Sequence, residues 1–87
     1  MHKLIYVLRK KNELSVEKFQ EYWLKTNSQI AKKLPLLERY VQSHTLLSAY
    51  KKMIPAFDGI AEFWFDSYKD FQQAEGSQEF EGLKRDS

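Results

Sequence analysis

Cysteine is absent from this chain of 87 residues, which removes disulfides and thiolate metal sites together. Histidine is scarce: His2 and His44 are too few for a histidine-built zinc site without carboxylate help. No apolar run approaches the roughly eighteen residues that a membrane span needs. The apolar start, residues 4–8, is too short for a signal peptide and lacks a small-residue cleavage site. Neither sign of charge dominates, since 14 Lys and Arg face 12 Asp and Glu for a net charge of +2. The basic pairs Lys10-Lys11, Lys32-Lys33, Lys51-Lys52 and Lys84-Arg85 are short and scattered, as on solvated loops and helix ends. There is no Gly-rich phosphate loop, no carboxylate-histidine metal cluster and no serine set as a nucleophile elbow. The expectations that follow are a cytoplasmic protein with no membrane or nucleic-acid partner, no metal and no cofactor.

What is present is one small domain over residues 1–87, rich in aromatics: two Trp, five Tyr and six Phe. A chain of this size buries only roughly 60 to 65% of its unfolded surface, so its own core is marginal. With disulfides and thiolate metals excluded, a partner subunit is the remaining compensation. Residues 3–9 read as a strand with Leu4, Tyr6 and Leu8 on one face and Ile5 and Val7 on the other. Both faces are apolar, as in a sheet covered on both sides. Ser15 is a good N-cap, and Val16, Phe19, Tyr22, Trp23, Ile30 and Leu34 recur at helical spacing. Thr26-Asn27-Ser28 interrupts that stripe with side chains that hydrogen-bond locally. The spacing predicts a helix to about Lys25, a kink at Asn27-Ser28 and an end before Pro35. Residues 38–47 read as a second strand, with Tyr40, Gln42, His44 and Leu46 on one face. Residues 59–65 read as a third, and Ser67-x-x-Asp70 has the spacing of a capping box that opens a second helix. Gly76 breaks that helix, with a turn or two after it. The order β-α-β-β-α fits a ferredoxin-like α+β sandwich with an antiparallel sheet whose usual fourth strand has no counterpart in this chain.

The segments LSVEKFQEYWLKTNSQIAKKLPLLERYVQSH and FDGIAEFWFDS resemble the EthD family. The F-x-x-Y-W helix, the A-K-K-L-P exit, the R-Y-V-Q-x-H strand and the D-G-I-A-E-x-W-F-D-S strand carry the likeness. The resemblance implies a dimeric α+β barrel, two ferredoxin-like sheets facing one another across a two-fold axis. Relatives of this barrel include cofactor-independent monooxygenases, cyclases, dehydratases and isomerases, and the family leans toward oxidoreductases. The family usually places a histidine just after the F-x-x-Y-W helix, in an H-[AG]-P-like turn. Here that position is Asn27, whose amide hydrogen-bonds but is no general base near neutral pH.

His44 is the best titratable candidate, since an imidazole changes charge near neutral pH. As a catalytic group it would move a proton, with Asn27 or Tyr40 donating a hydrogen bond to a developing oxyanion. As a structural group it would be held between helix and sheet by one hydrogen bond. Tyr22, Trp23 and Trp64 are candidate ligand contacts, although an aromatic stripe also makes a core. Glu62, mid-strand among apolar neighbours, is either a buried acid in the ligand site or, as favoured here, half of a salt bridge across a dimer. The expected function is binding or conversion of a small apolar or aromatic molecule by a homodimer. The alternative is a non-catalytic binding or accessory protein, or a cyclase, dehydratase or isomerase. An RNA-recognition reading of the same element order fails at the third strand. Asp58, Ile60 and Glu62 stand where a basic residue and two aromatics are needed.

Overall fold

The alternation of β3 (Gly59–Phe65) organises the molecule. Gly59, Ala61, Phe63 and Phe65 are buried on one face, while Ile60, Glu62 and Trp64 on the other stay half-exposed. In the computed structural model, which describes residues 1–86, this strand lies between β1 (His2–Leu8) and β2 (Leu37–His44) in an antiparallel sheet of order β1-β3-β2. That is the ferredoxin-like order with β1 at the edge where a fourth strand would lie. Three helices, α1 (Val16–Tyr22), α3 (Tyr68–Glu75) and α4 (Gln78–Asp86), with the short α2 (Ser28–Ala31), cover the Phe63 face. Ser15 and Ser67 cap α1 and α3, each Oγ accepting from the amide three residues on, at 3.2 and 3.1 Å. Phe65 and Phe80, fully buried, anchor a core with Trp23, Ala31, Leu34 and Leu83. Each such ring contributes about 1.5–3 kcal/mol of burial. No helix among the described residues is long and apolar enough to cross a membrane.

The break in the first helix takes a specific form. Trp23–Asn27 is a π-helical turn, and the Ser28 N–H reaches back to the Trp23 carbonyl five residues earlier. The Ser28 hydroxyl donates to the Leu24 carbonyl, a back-bond that bends helices. Leu36, at φ 63°, occupies the left-handed region, where the chain reverses after Pro35 into β2.

Two sequence expectations are corrected. The second strand runs from Leu37 to His44 rather than over residues 38–47, because its ladder partner β3 starts at Gly59, opposite His44. Beyond that point Leu47–Lys51 forms a 3-10 turn, and Leu46 is 74% exposed instead of facing the helices. The segment after Gly76 is a nine-residue helix, longer than the turn or two expected.

The face of the sheet away from the helices carries three cross-strand rows: Lys3–Trp64–Arg39, Ile5–Glu62–Val41 and Val7–Ile60–Ser43. Ile5 and Val7 are 53% and 60% exposed. Glu62 is paired within its own chain, 2.5 Å from the Lys3 ammonium. The Lys3 ammonium and the Arg39 guanidinium each lie 4.8 Å from the centre of the Trp64 ring.

Asp58 ties two loops together at one end of the sheet. Its carboxylate accepts from the Lys10 amide at 2.8 Å and from the Tyr50 hydroxyl at 2.5 Å. Burial pushes the Asp58 carboxyl up, but these two donors and the nearby charges of Lys10 and Arg9 bring it below its ordinary range. Burial, and then Asp58 itself, push the Tyr50 hydroxyl up to about 12. The depressed carboxyl contributes stability above its unfolded pKa that is lost as pH falls through its folded value. The raised hydroxyl contributes stability below pH 10 that is lost as pH rises through about 12. Tyr50→Phe should therefore shrink the alkaline fall in melting temperature. A remainder should persist from Tyr6 and Tyr40, which burial also raises. Melting curves from pH 9 to 12 check this, and an unchanged alkaline limb would count against the Tyr50–Asp58 link.

Candidate functional site

Helical spacing places Trp23 and Asn27 one turn apart, and both are buried. They bound a cleft of about 410 Å³ between α1 and the end of β1. Buried or half-buried Leu8, Leu14, Phe19 and Trp23 make its floor, with Asn27 beside them and the exposed Tyr22 at its rim. The Phe19 and Trp23 rings stack with centres 5.7 Å apart. A narrower space of about 70 Å³ shares Leu8, Trp23 and Asn27 and runs on toward Phe63 and Phe80. The Trp23 ring is held in place by Gly59: a Cβ built there would lie 2.3 Å from a Trp23 ring carbon, so any larger residue displaces the indole.

A second cavity, a groove of about 460 Å³, lies between the same helix and the edge strand β2, where Tyr40, Gln42 and His44 line it. Gln42 organises these groups. Its Nε2 lies 2.8 Å from the Trp23 carbonyl oxygen, which only accepts, so the NH2 end of the amide faces that way. The same nitrogen donates to the Tyr40 hydroxyl oxygen at 2.7 Å. The Gln42 carbonyl oxygen then faces His44 Nε2 at 2.9 Å, so Nε2 carries the proton and Nδ1 has the lone pair. Among the described residues nothing hydrogen-bonds to Nδ1. Burial holds the His44 imidazole below its usual range, which favours the neutral ring. Tyr40, accepting from Gln42, keeps its own proton available to donate. Burial raises that hydroxyl's pKa, opposed by the Gln42 and Trp23 donors.

The structure thus brings His44 and Tyr40 together and places Asn27 with Tyr22 and Trp23 in the other cavity. Trp23 is the partition: it lines the first cleft while its ring centre lies 4.6 Å from that of His44. Trp64 and Glu62 are in neither, because both belong to the open sheet face. From sequence, Gln42 is placed on the Tyr40–His44 face but is not singled out as the residue that links them. The signal available was its place between Tyr40 and His44 on one strand face. Among the described residues no cluster of three His, Asp or Glu is placed to hold a metal ion.

Taken together, the sheet order β1-β3-β2 and the single helical layer define a ferredoxin-like α+β unit with cavities between helix and sheet. The chain belongs to the EthD domain family, whose model matches residues 11–87. Among solved structures it is similar to an ethyl tert-butyl ether d (EthD) family protein of Bacillus halodurans C-125, determined at 1.40 Å resolution. The two share 21% identity with a TM-score of 0.78, over 97% of this chain and 80% of that one. At that identity the likeness is one of fold. Comparison with curated proteins found no match.

Proposed function

We propose that this protein is a homodimer that binds a small aromatic or apolar compound in the cleft over Phe19, Tyr22 and Trp23. The observation that carries this is the composition of the cleft: stacked rings and aliphatic side chains around one buried amide, with basic side chains completing the lining, in a volume typical of small-ligand sites. Asn27 is the group that orients the ligand, in the position where the family carries a histidine. The dimer forms through the open sheet face, where Ile5 and Val7 are left uncovered by the chain's own helices. Heteronuclear NMR with 2-naphthamide as the probe tests the site. Saturable shifts are expected at the Trp23 indole N–H and the Asn27 side-chain amide, with the Trp64 indole unmoved. Shifts confined to Trp64 would move binding to the sheet face and overturn the assignment.

A second reading is favoured by the Gln42 network. In this reading His44 Nδ1 takes a proton from a substrate in the β2 groove, and the Tyr40 hydroxyl donates to the oxygen on which charge develops. The chemistry is cofactor-independent proton transfer, as in an isomerase, cyclase or dehydratase. An oxidoreductase of the same barrel would use the same base to form a substrate anion.

A further inference from the structure

Arg9, Lys11 and Lys18, exposed, and Lys10, half-buried, form the mouth of the Phe19–Trp23 cleft, and among the described residues no carboxylate lines it. In a chain whose acids and bases nearly balance, four cations and, among the described residues, no lining carboxylate at one opening are a local asymmetry. Two lysines elsewhere are paired, Lys3 with Glu62 and Lys25 with Glu21 at 3.2 Å, while Lys32, Lys33, Lys51, Lys52 and Lys69 stand singly or as short pairs. What sets the cleft apart is that four cations share one opening. Among the described residues none of the four mouth cations has a carboxylate within 4.0 Å. The Asp58 carboxylate, which accepts from the Lys10 amide and Tyr50, offsets part of the charge of Arg9 and Lys10, so Lys11 and Lys18 are the cations left to a ligand. Glu13 and Glu17, in the same stretch of chain, are exposed and outside the lining.

Resting on the binding reading above, we infer that the natural occupant is an aromatic acid, its rings on Trp23 and Phe19 and its carboxylate among the mouth cations. An apolar floor beneath a cationic mouth fixes both the depth and the direction of such a ligand. Neutral aromatics satisfy the floor alone. The lysines are flexible point charges at a partly exposed site, so their contribution is modest and sensitive to salt. An advantage of about tenfold for the anion is the expected scale.

Titration calorimetry with 2-naphthoate and 2-naphthamide, equal in shape and different in charge, tests this. At low ionic strength the naphthoate should bind about tenfold tighter. The gap should close at about 0.5 M salt, where the screening length is roughly 4 Å. The doubly substituted Lys11→Gln, Lys18→Gln protein should lose most of the preference and keep its affinity for the amide. Both side chains are exposed, and the Lys18 backbone amide keeps its cap on Ser15. Equal binding of the two probes, or an undiminished preference in the double variant, would overturn the anionic assignment while leaving the cleft a binding site. Binding of neither probe would remove the cleft reading itself.

Discussion

Val7→Glu should make the protein monomeric. Val7 stands on the open sheet face in register with Ile60 and Ser43, and it is 60% exposed in the single chain. In that chain the change is a surface substitution, worth no more than about 0.5 kcal/mol of stability. In a sheet-to-sheet dimer each copy would bury a carboxylate with no cation in its row, at an effective cost of several kcal/mol per ion. Even 4 kcal/mol in total weakens association by about 10³. Val7 separates the two effects better than Ile5, because Ile5 lies directly opposite Glu62 and a second carboxylate there would strain the monomer. Lys69→Glu, a charge reversal at an exposed position of α3, is the control and should leave the dimer intact. Sedimentation at micromolar concentration reads the result, with circular dichroism showing an intact fold. A Val7→Glu protein that sediments like the parent would place the interface elsewhere.

The residues that made this face readable are those whose role is local. Alternation in residues 59–65 sorted Ala61, Phe63 and Phe65 from Ile60, Glu62 and Trp64, and the strand has those bounds. The caps at Ser15 and Ser67 are likewise chemistry within three residues. The end of β2 was not legible, since Leu46 and Leu47 continue an apolar pattern while the strand stops where its partner does. The kink at Asn27-Ser28 was visible as a run of locally bonding side chains. Its π form depends on the Ser28 back-bond and on Gln42 reaching the Trp23 carbonyl from 19 residues away. The division of the site follows from the same cause. Asn27 and His44 each read as polar groups near aromatics, but which side of Trp23 each occupies is decided by tertiary packing. Lys10-Lys11 read as a solvated loop, and only the folded chain sets that loop, with Arg9 and Lys18, around one opening.

His44→Ala should remove most of any general-base activity, and Gln42→Met should reduce it through His44. A probe that needs only a base is 5-nitrobenzisoxazole, a small aromatic whose ring opens when one proton is taken. Loss of a positioned base costs 10²–10⁴, so a fall of about 10² or more is expected for His44→Ala. Gln42→Met keeps the length of the side chain and removes the acceptor that fixes the Nε2–H tautomer, with an expected loss of about tenfold. The Trp23 carbonyl would still accept from the Ser28 amide, so stability should fall by only about 1 kcal/mol. Nitrogen shifts of the His44 ring distinguish positioning from simple damage, because Nδ1 should lose its unprotonated character in the Met variant. The pH dependence follows from burial. With its folded pKa below the ordinary 6.5, neutral His44 should persist as pH falls to 6.5, and activity should drop only beneath that. The linked stability has the same sign: it is present above pH 6.5 and lost as pH falls toward the folded value, since the unfolded ring protonates first. His44→Ala should abolish that acid component. Ring-opening undiminished in His44→Ala, or a His44 midpoint at or above 6.5, would leave the groove without its base and return the protein to binding alone.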